Sequence, residues 1–309
     1  MASGACLLYN ELMNEKFKCG YIALIGLPNV GKSTLLNRLV GEKLAITSPK
    51  PQTTRHRLLG IVNKPGAQLL YLDTPGVLEP KGPLNQTLVA AALNALASAD
   101  VVVWLVEHRH PDPQDRVLLP HFKELPQPLV VVINKIDLIS KPRLLPLMVA
   151  YHQLFPQSPV IPVSALLGDG LPELEAEITK LLPAAPAIYP EDQVTERTER
   201  FLVAELIRER LLHHLGEEVP HAVAVLIEDF DESRRPDLVS IQAVIYVERQ
   251  SQKGIVIGKE GHLLKTVGQE ARAEMEDLLG SRVYLNLWVK VWKNWRKDPK
   301  ALRLLGYQS

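Results

Sequence analysis

Only two cysteines, Cys6 and Cys19, occur in 309 residues. Their spacing fits no metal site, and a disulfide framework needs more of them, so both read as free thiols of a reducing compartment. No apolar run approaches the roughly 18 residues that a membrane-spanning helix needs. The opening stretch MASGACLLYNELMNEKFKCG lacks a basic start and a continuous apolar core, which argues against a secretory signal. Residues 1–19 read as a flexible tail, with Met13 as an alternative start. Net charge is zero, with 35 Lys and Arg against 35 Asp and Glu, so the chain as a whole has no pull toward nucleic acid or membrane. There is no internal repeat and no low-complexity segment.

The charge is nevertheless uneven. Residues 186–248 hold 6 basic and 14 acidic side chains, a balance of −8. Residues 249–309 hold 12 and 6, a balance of +6, which predicts an electropositive face in the C-terminal portion. A proline-rich stretch, LLPAAPAIYPEDQ (181–193), reads as a linker. The length allows two domains, and the expected division is 20–182, linker 183–195, and 196–309.

The first domain alternates apolar strand candidates (21–25, 59–63, 68–72, 101–106, 129–133, 159–163) with helical patterns (32–40, 84–98, 141–154, 171–182). That rhythm predicts an α/β fold with a mostly parallel, doubly wound sheet. Its first strand runs into GLPNVGKSTL, residues 26–35. Glycines at 26 and 31 let a backbone approach an anion closely, and the helix that follows directs N–H groups and partial positive charge at it. The pattern is a P-loop. Gly26, Leu27, Pro28, Asn29, Val30, Gly31, Lys32, Ser33 and Thr34 would wrap the phosphates, with Lys32 reaching the β- and γ-phosphates and Ser33 ligating Mg2+. In LLYLDTPG (69–76), Asp73 is placed near the same Mg2+, and Thr74, Pro75 and Gly76 follow it, the Gly76 N–H sensing the γ-phosphate. NKID (134–137) follows a strand. Asp137 can accept from guanine N1–H and the 2-amino group, Asn134 and Lys135 would brace that loop and pack on the base, and the backbone of Ser164, Ala165 and Leu166 could meet the guanine oxygen. These features together imply GTP and GDP as ligands. PQTTRHR (51–57) places Thr53 and Thr54 where a threonine can ligate Mg2+ only while GTP is present, making 43–58 and 75–90 two nucleotide-dependent switches. Val77 stands where many GTPases have a water-orienting glutamine. RHPDPQD (109–115) reads as a loop.

The C-terminal part has another rhythm. RFLVAELIRERLLHHL (200–215) is an amphipathic helix, and 221–230 and 239–249 alternate as half-buried strands. GIVIGKEGHLLKTVGQEARAEMEDLL (254–279) reads as a short strand, a Gly-x-x-Gly turn at Gly258–Gly261, and a helix. A strand at 283–292 and a closing helix follow. His213 and His214 read as helix surface, since no further ligand lies at metal spacing. Trp288, Trp292 and Trp295 have two open readings, stacking on bases or packing beneath the last helix. Taken as helix–strand–strand–helix–turn–helix–strand, the order looks like an α+β KH domain of the second topological type, whose GXXG loop clamps single-stranded nucleotides. Gly258, Lys259, Gly261, Lys265, Lys290 and Lys293 are the candidate RNA contacts, while Glu260 points to solvent.

The whole arrangement resembles the Era family of ribosome-assembly GTPases. The resemblance spans about 18–307 and rests on GLPNVGKSTLLNRL, PQTTRHRLLGI, LDTPGV, NKID, VSAL, YPEDQVTERTERF, VIGKEGHLLKTVGQEAR and ALRLLGY. It implies a GTP-hydrolysing enzyme with Lys32, Thr54 and Gly76 as catalytic residues, Thr54 being preferred because relatives carry a threonine just before the arginine. Ser33, Thr54 and Asp73 are then the Mg2+ ligands. It also implies binding to small-subunit ribosomal RNA near its 3′ end and to the small ribosomal subunit. A monomeric, cytoplasmic protein with peripheral association at the inner face of the cell membrane is the expectation. In several GTPases with this loop an asparagine at position 29 helps hold K+, and simple loop geometry is the alternative. GVLEP (76–80) departs from relatives that carry histidine after the apolar residue. Two rival readings stand beside this one: a GTPase acting through a protein or membrane partner, and an RNA-binding protein with a vestigial GTPase.

Overall fold

The computed structural model describes residues 17–77, 82–111, 113–235 and 237–307. These fall into two compact units. Among the described residues the first takes 17–45, 56–77 and 88–196, and the second 46–55, 82–87 and 197–307. Two departures from the expected division follow. Residues 46–55, in the expected first switch, group with the second unit, and the linker 183–195 groups with the first.

The first unit is built on a six-stranded sheet in the order β2-β3-β1-β4-β5-β6. Its strands are β1 (Lys18–Ile25), β2 (Leu58–Lys64), β3 (Ala67–Asp73), β4 (Val101–Val106), β5 (Leu129–Ile133) and β6 (Val160–Pro162). All pairings are parallel except β2 with β3, which is antiparallel. β4 and β5 are buried along their whole length, as continuous Val/Ile/Leu runs must be when both faces of a sheet are covered. The helices are α1 (Lys32–Val40), α2 (Pro83–Ser98, of which 88–98 belong to this unit), α3 (Leu119–Lys123), α4 (Lys141–Leu154) and α5 (Leu171–Leu181). Trp104, fully buried on β4, packs with Phe122, Tyr151 and Phe155 at 5.1–5.8 Å between ring centres.

Three expectations are corrected. The tail was expected to reach residue 19, but Lys18 and Cys19 lie in β1, where Cys19 is a buried free thiol whose pKa burial raises. Cys6 and Met13 lie outside the described residues. The 109–115 loop carries a 3-10 turn, Pro113–Val117, and the following α3 was not anticipated. The bidentate pair of Arg109 with the buried Asp115, at 2.9 Å to each oxygen, folds this stretch back on itself. The linker is not slack. Buried Gln68 accepts from the N–H groups of Ile188 and Tyr189 and donates to Tyr189 C=O, while Ile61 N–H donates to Val194 C=O. It thereby covers part of the open edge at β2.

The second unit is a three-stranded sheet, β7 (Ala224–Arg235), β8 (Leu238–Val247) and β9 (Arg282–Val291), with β7–β8 antiparallel and β8–β9 parallel. Its helices are α6 (Glu199–His214), α7 (Val219–Ala222), α8 (Gln250–Ile257), α9 (His262–Leu279) and α10 (Pro299–Leu304). Alternate residues of β9, Val283 and Val289 among them, meet Leu206, Ile207, Val267 and Met275 in one core. Residues 254–257, expected as a short strand, are the last turn of α8. The Gln252 side chain accepts from the N–H groups of Glu248 and Arg249 and fixes the start of that helix, while Val256 anchors it in the core.

Candidate nucleotide site and nucleic-acid interface

In the first unit every predicted nucleotide element stands at the carboxyl end of a strand, where open α/β sheets bind ligands. The P-loop leaves β1 and enters α1. Gly31, at φ 100°, is the N-cap of α1, and no side chain caps it. The N–H groups and dipole of this helix start suit an anion. Gly26, Gly31 and Gly76 are each required by space. A Cβ at Gly26 would lie 2.5 Å from Leu105 C=O, one at Gly31 2.2 Å from the Asn134 amide nitrogen, and one at Gly76 2.7 Å from the Pro28 backbone. Asn29 is exposed with φ 64°, a left-handed conformation that asparagine tolerates well, which fits the loop-geometry reading without deciding against the K+ one.

Lys32 is 5% exposed, and its ammonium donates to the Gly26 and Leu27 carbonyls at 3.1 and 2.9 Å. Burial lowers its pKa from 10.5 to about 8, with Asp73 opposing. Ser33 Oγ donates to Asp73 Oδ2 at 2.7 Å, so the expected hydroxyl and carboxylate stand together. Thr74 is buried and holds β1 through Leu24 C=O at 2.8 Å. Val77 is 1% exposed in the apolar core and its N–H donates to Gly26 C=O, so its side chain is committed to the core and cannot orient water. Leu78, Glu79 and Pro80 lie outside the described residues.

The base-reading loops are bolted to the P-loop by one side chain. Asn134, 2% exposed, donates to Val30 C=O at 2.8 Å and accepts from Ala165 N–H at 3.0 Å. It was expected to brace its own loop; it ties that loop to the P-loop and to the Ala165 loop, and so occupies the Ala165 N–H that was expected to be available to the base. Asp137 is exposed and accepts from buried Ser164 Oγ at 2.6 Å, which fixes its carboxylate plane. Lys135, at φ 63°, is ion-paired with Glu107 at the end of β4. Glu107 carried no motif and was missed; its one signal was an acidic residue directly after a wholly buried strand.

Thr54 is half-buried in the segment that groups with the second unit. The second unit also carries the GXXG turn, Gly258–Gly261, between α8 and α9. Glu260 has φ 52° and is exposed, as expected, and Lys259 and Lys265 are exposed. A Cβ at Gly258 would lie 2.7 Å from Leu263 Cβ, whereas one at Gly261 meets nothing within 4 Å. Gly261, at φ 78°, is the uncapped N-cap of α9, so this helix start repeats the physics of the P-loop. Beside it a cleft of about 440 Å³ is lined by Gly261, Lys265, Arg272, Tyr284 and Leu287. Sequence reasoning missed Arg272, further along α9, and Tyr284, which reaches the same cleft only because β9 packs against that helix.

Other candidates are redistributed. Lys293 is exposed, but Lys290 is ion-paired with Glu228 at 2.9 Å and Arg296 with Glu248. The acidic and basic stretches thus partly neutralise each other across the sheet. Trp295 is fully buried and stacks on Tyr307 at 5.7 Å, Trp292 meets Tyr246 edge-on, and Trp288 is 56% exposed. His214 contacts Glu270 at 2.8 Å, and no metal-binding cluster occurs among the described residues. Nor is any described helix long and apolar enough to cross a membrane.

Fold and site together define a P-loop GTPase with guanine-reading loops, joined to a KH domain. A family model described as 50S ribosome-binding GTPase matches residues 21–135, and a KH-domain model matches 218–296. GTPase Era of Geotalea uraniireducens (strain Rf4) is 47% identical over 298 residues, covering 96% of this chain and all of that protein. GTPase Era of Syntrophus aciditrophicus (strain SB) is 45% identical over 309 residues, covering 100% of this chain and 99% of that one. The chain belongs to the Era family of GTPases. Two solved Era structures, one in complex with MgGDPNP and nucleotides 1506–1542 of 16S ribosomal RNA and one of an Aquifex aeolicus variant bound to GDP·AlF4−, each superpose with TM-score 0.92 at 43% identity. Each match covers 95% of this chain and all of the other.

Proposed function

We propose that this GTPase is a switch that binds small-subunit ribosomal RNA near its 3′ end and assists assembly of that subunit. The carrying observation is one chain with a guanine-reading P-loop site and an uncapped GXXG helix start, in a family whose member was solved with MgGDPNP and 16S RNA nucleotides. Asp137 reads guanine, the Leu166 N–H meets its oxygen, and the P-loop N–H groups with Lys32 hold the phosphates. Ser33 and Asp73 offer hard oxygen donors that suit Mg2+, with Thr54 joining when GTP is bound. Magnesium supplies charge neutralisation at the β- and γ-phosphates. The Gly76 N–H senses the γ-phosphate.

RNA binding is tested without touching the strained glycines. Asp tolerates the left-handed conformation of residue 260, so Lys259→Asp with Glu260→Asp keeps the turn and makes its net charge more negative by two. The double variant will bind single-stranded RNA of the 3′-terminal type at least ~10-fold more weakly. Its salt slope will be shallower by about 0.7 for each phosphate that the turn no longer neutralises. GTP turnover without RNA will stay within twofold. Unchanged RNA affinity in a folded double variant would remove this turn from the reading and shift it to the Trp288–Lys297 stretch.

Lys32 gives a pH prediction. Bound phosphate stabilises the ammonium and so raises its pKa. Well below 8 the group is charged with or without nucleotide; above 8 binding takes up a proton and affinity falls as pH rises. Calorimetry in buffers of different ionisation enthalpy will show fractional proton uptake at about pH 8.5 and almost none at about pH 6.5. Asn29 keeps its two readings. If it helps hold K+, turnover will be faster in K+ than in Na+ at equal ionic strength and Asn29→Ala will erase the difference. Equal rates in the two salts leave loop geometry as its role.

A further inference from the structure

The segment Ile46–Arg55 has no regular secondary structure, yet within its unit it is fixed along its length. Near its start, Glu209 of α6 accepts from Thr47 N–H at 2.8 Å, and His213 Nε2 lies 3.0 Å from Thr47 C=O. Arg208, ion-paired with Glu205, donates to Thr53 C=O. At the end, Arg55 is 2% exposed. Its Nη1 donates to Val223 C=O at 2.7 Å and to the Tyr307 hydroxyl at 3.3 Å, and its Nη2 donates to the Pro220 and His221 carbonyls at 3.2 Å each. The guanidinium lies 5.8 Å from the ring centres of both Trp295 and Tyr307.

This socket explains a buried arginine whose direct hydrogen-bond partners are carbonyls and a hydroxyl. The last C=O groups of a helix have no partner within it, and α7 ends at Ala222. Arg55 takes the carbonyls of residues 220, 221 and 223, and Trp295 Nε1 takes that of Ala222 at 2.9 Å. Two aromatic faces add a further favourable field for the cation. Burial lowers the pKa of Arg55, and Tyr307 offsets part of that loss.

We propose that Arg55 is a positioning residue for the GTPase reaction: its socket fixes the backbone on which Thr54 stands, so the grip of nucleotide on Thr54 is linked to the integrity of the socket. The proposal rests on the reading of Thr54 as the GTP-dependent Mg2+ ligand. Thr53 C=O is held on one side and Arg55 on the other, so Thr54 cannot shift without straining an anchor. Linkage is reciprocal. Tyr307, 252 residues along the chain from Arg55, therefore contributes to the choice between GTP and GDP.

The test uses the full chain and compares affinities for a non-hydrolysable GTP analogue and for GDP, together with kcat. Arg55→Ala will weaken the analogue about fivefold or more, within the usual range of coupling between sites, while GDP affinity stays within about twofold and kcat falls. Arg55→Lys will not rescue, because an ammonium lacks the planar fork that spans the carbonyls and faces the rings. Tyr307→Ala will shift the ratio in the same direction and add little in the Arg55→Ala background. Equal loss for both nucleotides, or full rescue by lysine, would reduce Arg55 to a fold-holding role. Hydrogen exchange in the unsubstituted chain is independent of any folding defect: exchange across 46–55 will be slower with the GTP analogue than with GDP, and identical exchange overturns the proposal. Thr54→Ala separates the two readings. If it leaves turnover and GTP preference intact, the Thr54 assignment fails, whereas the Arg55 anchor is still read from exchange in the GDP state.

Discussion

Asp137→Asn will lose GTP binding and gain binding of xanthosine triphosphate. The Asp137 carboxylate is exposed, and Ser164 Oγ fixes one oxygen at 2.6 Å, so its acceptors are held to meet N1–H and the 2-amino group of guanine. An amide replaces one acceptor by a donor, which then faces another donor. Sites built on such hydrogen bonds reject a mispaired analogue by roughly 10⁴–10⁵. Xanthine presents a carbonyl where guanine presents the amino group and restores the pairing. The Ser164 hydroxyl can rotate to serve either side chain, so folding will be little affected. Direct titration of both nucleotides checks the result; retained GTP affinity would remove Asp137 from base recognition.

Gly31→Ala will damage the site from within. Residue 31 sits at φ 100°, and the new Cβ would lie 2.2 Å from the Asn134 amide nitrogen. Backbone strain of this kind costs about 1–3 kcal/mol. The larger effect is on geometry. Asn134 must move, and with it go its bonds to Val30 C=O and Ala165 N–H, which hold the phosphate and base loops in register. Nucleotide affinity will fall by at least ~100-fold, which corresponds to about 3 kcal/mol of binding free energy. A lowered melting temperature in the nucleotide-free protein will accompany it. Normal nucleotide affinity would show that Asn134 can find another position without loosening the loops.

The nucleotide site was legible in the sequence because its constraints are local. A loop that wraps phosphate needs glycines at fixed offsets and a helix immediately after, and both are written within ten residues. The buried strands were legible for the same reason: covered faces demand unbroken Val/Ile/Leu runs such as those of β4 and β5. Local reading failed where two signals competed. Four residues, Gly-Ile-Val-Ile at 254–257, have strand composition, but the Gln252 cap and the burial of Val256 make them helix. The alternatives for the three tryptophans were resolved only by packing. One is core, one lies edge-on to Tyr246 and one is exposed, although all occur within eight residues of sequence. Lys290 looked like a free cation until β7 brought Glu228 beside it.

The sequence by itself determined the class of ligand and singled out Asp137 and the GXXG turn as the candidates for base and RNA recognition, since each depends on residues close together in the chain. Only the tertiary structure decided which residues hold those parts in place. Asn134 spans to Val30, Glu107 pairs with Lys135, and Arg55 reaches carbonyls at 220–223. These partners are between 28 and 168 positions apart in the chain. Spacing along a chain carries information over a few turns of helix or a pair of strands. A bond between residues so far apart exists only because burial of two hydrophobic surfaces has already brought their backbones together.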